Sequence, residues 1–188
     1  LYLTSLYFQE QMLGEEHNTT IGVRNNLAFL YMLMEDYEKA AEQFAAVQDQ
    51  WSRTLGDDHQ NTLKAFNNLA RAMQGLDEFE QAEYIFLDVL ARRQEVLGAE
   101  HIDAIRSMID LGRLYVALER YEEADEILTN ALELAESNLG DQHPYTFEAL
   151  NALASSTEAI GQLQAAFDLR TIGFLRRSKF LDTMLWVT

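Results

Sequence analysis

The chain has 188 residues, 48% of them hydrophobic, with one proline and nine glycines. That is enough to bury a core without disulfide or metal staples, and it excludes a loop-rich or disordered chain. The absence of cysteine excludes disulfides, thiolate chemistry and Cys-type zinc sites, and a net charge of −17 opposes binding to nucleic-acid phosphates.

No apolar run reaches membrane-spanning length and no signal-peptide pattern is present, so no membrane partner and a cytoplasmic location are the expectation. Residues 1–12 read as the second helix of a preceding, truncated repeat. With Leu1 in place of Met and an apolar C-terminal stretch, the chain reads as a piece of something longer. The phrase LGEEHNTT follows at Leu13, and close relatives of it begin at Leu55, Leu97 and Leu139, each 42 residues on. All four histidines, His17, His59, His101 and His143, fall in this phrase. A period of this length marks stacked repeats, each a supersecondary unit that buries its apolar face on its neighbours. The repeats are expected at 13–54, 55–96, 97–138 and, divergent, at 139–180, with a tail at 181–188.

Each unit reads as two helices. The first are predicted over 18–33, 60–75, 102–117 and 144–159, where apolar residues recur at helical spacing, as at Leu69, Ala70, Met73 and Leu76. The second begin near Tyr37, Phe79, Tyr121 and Leu163, and run to the next LG pair. In register stand Leu27, Leu69, Leu111 and Leu153, then Ala28, Ala70, Gly112 and Ala154. The second helices align Ala40, Ala82, Ala124 and Ala166, then Phe44, Phe86 and Leu128, a column that Arg170 breaks. Small residues let paired helices approach, and bulky ones a turn away fill the space beyond. The phrase itself reads as a stop, a short turn and a start. Glycine ends one helix with a positive φ, and Pro144 suits the first position of the next. The histidines are expected to cap or pack beside the new helix. As metal ligands they fail, because equivalent positions in stacked helix pairs lie about 10 Å apart, a helix diameter, and cannot share one ion. No cofactor is expected.

These columns resemble the tetratricopeptide repeat. The 42-residue spacing with LGxxHxxT and NNLA (25–28 and 67–70) resembles its kinesin light chain type. The resemblance covers about residues 13–170. It implies an all-α fold, a right-handed superhelical solenoid of stacked antiparallel helix pairs whose first helices line a concave, partner-binding groove.

Charge divides along the same lines. The predicted first helices hold five basic and four acidic residues, a net +1, while the rest of the chain carries −18. Lys64 and Arg71 lie seven residues apart, two turns or roughly 10 Å along one helical face. Arg106 and Arg113 repeat the pair one period later. Such spacing suits acidic side chains about three residues apart on an extended peptide, at roughly 3.3 Å per residue, and arginine favours bidentate carboxylate contact. The bland alternative is intrahelical pairing: Asp110 lies within reach of both Arg106 and Arg113, and Asp103 of Arg106. Lys64 and Arg71 have no acid at that spacing in their helix. Asn25, Asn67 and Asn151 form a further column, which the resemblance places on the groove, able to bond a peptide backbone. Arg24 stands where other repeats have Phe66, Met108 and Leu150, without a reason visible in the sequence.

The expected function is therefore a protein-interaction scaffold. Its groove residues would be Asn25, Lys64, Asn67, Arg71, Arg106, Arg113 and Asn151, and its partners other proteins or linear, acidic peptides. A basic partner on the acidic outer face is one alternative. Another is a regulatory arm of a larger enzyme, such as a signalling ATPase or a protease. The basic tail with Arg176, Arg177 and Lys179 reads as a capping helix, and it also resembles the junction before a caspase-like CHAT protease domain. Catalysis within these residues is not expected, since no phosphate-cradling loop, HExxH or nucleophile elbow is present.

Overall fold

The structure, a computed structural model, describes the backbone of residues 2–185 and the side chains of residues 2–177. The described residues form nine α-helices and no strand: α1 Tyr2–Leu13, α2 Asn18–Leu33, α3 Tyr37–Leu55, α4 Gln60–Gly75, α5 Phe79–Leu97, α6 Ile102–Ala117, α7 Tyr121–Leu139, α8 Pro144–Ala159 and α9 Leu163–Leu185. Helices α2, α4, α6 and α8 span the four first-helix ranges read from the sequence. Part of the expected tail continues α9, and residues 186–188 lie outside the described residues.

Two compact units divide within α5, after Arg92. In the first, Ala28, Ala40, Phe44, Leu69 and Ala72 form a buried cluster flanked by Tyr31 and Met73. Phe29 meets Phe44 edge to face, with ring centroids 5.2 Å apart. A second cluster of Ile21, Val47 and Ala65 is covered by Trp51. In the second unit, Leu111, Leu114, Leu128, Leu150 and the alanines at 124, 131, 149 and 154 are buried. The apolar columns are thus the cores, and each buried Leu or Phe contributes about 2 kcal/mol from area removed from water.

The LGxxH phrase works as a joint between helices. Gly56 and Gly140 have φ of 93° and 88° with ψ of 160° and 164°. This is a region essentially restricted to glycine, rather than the αL well expected of a helix stop. His17, His59, His101 and His143 are the N-caps, each Nδ1 accepting the N–H two residues on at 3.1–3.2 Å. Such a cap needs the neutral ring with its proton on Nε2. Thr62 and Thr146 add hydroxyl bonds of 2.8 Å to the carbonyls of Gly56 and Gly140. Pro144 opens α8 at its first turn.

The turn inside each repeat follows another rule. Glu35, Asp77, Glu119 and Gly161, one position in four repeats, all have positive φ, at 58°, 60°, 58° and 83°. Around Glu35, Asp36 N–H bonds to Tyr31 O at 3.0 Å and Glu35 N–H to Met32 O at 3.2 Å. The same two bonds recur in the other three repeats. This pairing closes a helix whose last carbonyls would otherwise lack donors. Asp36 then caps α3, accepting from Lys39 N–H at 3.3 Å.

Candidate protein-binding face

In the first unit, α4 presents Lys64, Asn67, Asn68 and Arg71, one helical stripe at spacings of three and four. Lys64 and Arg71 are half-buried. Lys64 takes part in interactions within the fold, whereas Arg71 has no ion pair among the described residues. Asn25 on α2 is half-buried, but Asn67 is only 1% exposed and has its own partners. Its neighbour Asn68 instead lines a recess of about 180 Å³ with Arg71, Phe29, Met32, Leu33 and Phe44. The recess is therefore lined by four apolar side chains together with Arg71 and Asn68.

In the second unit, the first helices α6 and α8 contribute to a recess of about 260 Å³, lined by Arg113, Val116, Asn151, Ala152 and Ser155. Arg113 and Asn151, two residues singled out by the sequence, meet here. Arg106 is half-buried on α6 and does not line it. Arg113 Nη1 lies 3.1 Å from Glu148 and 3.8 Å from Asp110. The intrahelical Asp110 contact anticipated from spacing is present, but the shorter contact comes from the next repeat.

Arg24 now has an explanation. Its guanidinium pairs with Glu10 of α1 at 2.5 Å and reaches Gln43 of α3 at 3.4 Å. An arginine fits where other repeats have Phe66, Met108 or Leu150 because α1 supplies an acid there. Arg93, only 1% exposed, carried no signal in the sequence. Its guanidinium donates to Asp103 O at 3.0 Å and Ser107 Oγ at 2.5 Å. Burial disfavours its charged form and lowers its pKa, while the carboxylates of Asp103 and Asp110 oppose that shift. The aligned positions hold Trp51, Ala135 and Arg177, so no column marked it. Arg176, from the basic cluster, pairs with Glu136 of α7 at 2.6 Å. The side chain of Lys179 lies outside the described residues.

Among the described residues no group of three or more His, Asp or Glu is arranged to hold a metal, and no helix is long and apolar enough to cross a membrane.

The chain belongs to the tetratricopeptide repeat family, whose profile matches residues 19–95, 76–136 and 116–169. Its fold is that of a protein-interaction scaffold. Among solved structures it is similar to a point variant of a Podosopora anserina kinesin light chain candidate with nearly identical TPR-like repeats. That match has 25% identity and a TM-score of 0.76, covering 96% of this chain and 85% of that one. It is also similar to BtubC (BKLC) from P. vanneervenii, at 21% identity and TM-score 0.76, over 95% of this chain and 71% of the other. The apo form of RapI shares the fold at 19% identity and TM-score 0.77, with 96% and 64% covered. No curated protein matches the chain.

Proposed function

We propose that the first-helix face binds a linear, acidic segment of another protein. The observation that carries this reading is Arg71. It is half-buried and lines a largely apolar recess with Asn68, with no acidic partner among the described residues. A cation already partly desolvated and fixed beside apolar surface gains more from an incoming carboxylate than one in open water. The charge division supports the same ligand, since the first helices carry net +1 within a chain of −17. Within its own unit, Asn25 on α2 would bond such a segment's backbone, and in the second unit Asn151 on α8 would do so beside Arg113. Arg106 and Lys64 would add longer-range attraction.

A charge-sorted peptide-library pull-down tests this. Acidic peptides should be enriched, and the enrichment should weaken from low to physiological salt. It should be lost in the Lys64→Glu, Arg71→Glu variant while helicity is retained. Enrichment of basic peptides, unchanged in that variant, would move the site to the acidic outer face.

A further inference from the structure

Glu148 breaks the charge pattern of its own column. Positions 64 and 106 carry Lys64 and Arg106, and one period later the equivalent residue is an acid. Its carboxylate approaches Arg113 at 3.1 Å, with the two side chains 42% and 39% exposed. Glu148 lies on the same face of α8 as Asn151, Ala152 and Ser155, at spacings of three, four and seven, and those three line the second-unit recess with Arg113. Asp110, only 6% exposed in its side chain, lies 3.8 Å from Arg113. Asp110 is buried and does not line that recess. Glu148 is the more exposed of the two acids, and so the one that an incoming ligand can meet.

We infer that Glu148 is a built-in competitor, occupying the place at Arg113 that a ligand carboxylate would take. The inference rests on the reading that this face binds acidic segments. An exposed ion pair is worth little by itself, so Glu148 does not block the site. It raises the threshold: an incoming acid must displace one carboxylate before gaining Arg113, and it meets the displaced charge nearby. Glu148 would thus set which acidic segments bind the second unit, favouring those with several acids over those with one. Arg71 in the first unit has no such competitor among the described residues.

The test is fluorescence anisotropy with a labelled deca-glutamate peptide at low and physiological salt. Glu148→Gln should tighten binding roughly three- to tenfold, because a charged competitor is replaced by a neutral isostere. Glu122→Gln, on the exposed face of α7, changes the net charge equally and should leave affinity within about twofold, as expected of a distant, screened charge. The gain should vanish when Arg113→Gln is added to Glu148→Gln. Equal effects of Glu148→Gln and Glu122→Gln, with binding still sensitive to Arg71→Glu, would overturn the competitor role alone. Absence of peptide binding in every variant would overturn the groove reading and the competitor together.

Discussion

Glu119 occupies backbone that L-residues enter at a cost, with φ of 58°. The equivalent position in the last repeat is already glycine, Gly161 at φ 83°. Because Glu119 is exposed, its side chain supplies no core packing that would be lost. Glu119→Gly should therefore stabilise the chain by about 1 kcal/mol, the αL penalty less the added freedom of the unfolded chain. Urea unfolding followed by circular dichroism reads this, and a lower midpoint would contradict it. Arg93 predicts the opposite sign. Arg93→Ala leaves Asp103 and Asp110 without the guanidinium charge beside them and opens a void. It should cost about 3 kcal/mol in the same measurement, as breaking buried charge pairs does. A near-neutral Arg93→Ala would mean that the pocket relaxes or admits water. Both residues were illegible in the sequence, for different reasons. Nothing in the identity of a glutamate announces a positive φ, and only the hydrogen bonds around it do. Arg93 belongs to no repeated column, so periodicity could not mark it as interior. Arg24 was noticed as an exception, but its partner Glu10 lies in α1, outside the aligned repeats.

At the scale of helices, boundaries were the most legible feature. Glycine with positive φ, a histidine cap and Pro144 are local chemistry, readable residue by residue. The four histidines do one job four times, each satisfying an N–H that the helix start leaves without a partner. Asp36 is the corresponding device inside the first repeat, and it is the one whose pH dependence can be signed. The Lys39 ammonium, bonded to the carboxylate, holds the Asp36 pKa below its usual 3.8, and Lys39 N–H adds to this. Folded Asp36 therefore binds fewer protons in acid than the unfolded chain does. Its contribution is complete above 3.8 and is lost as pH falls through the lower folded value. Glu123, lowered by Arg120, contributes with the same sign. Asp36→Asn keeps a capping side chain but not the charge. Its melting temperature should lie below wild type at neutral pH, and the gap should close in strong acid. A gap that persists there would assign the effect to geometry and not to charge.

Over the whole chain, the 42-residue period made the helix-pair repeat legible, because several columns agree in register and the family profile covers the same residues. The proposed binding face was legible only in part. Of the residues read from the sequence, Arg71 and Arg113 each line a recess, whereas Asn67 is interior and its neighbour Asn68 lines the first-unit recess. One turn of a helix holds two adjacent asparagines, both buried, and which of them borders a recess depends on neighbouring helices that a single repeat does not display. Glu148 was counted as one acid among four, and the role proposed for it rests on its distance to Arg113. The central claim is that cations on the first-helix face capture acidic segments. The most direct measurement is the affinity of an acidic peptide, taken from the library enrichment, for wild type and for Lys64→Glu, Arg71→Glu at matched salt. The account predicts at least a roughly tenfold loss, consistent with double reversal of partly desolvated charges, with the circular dichroism spectrum unchanged. Equal affinity for the two proteins would contradict it.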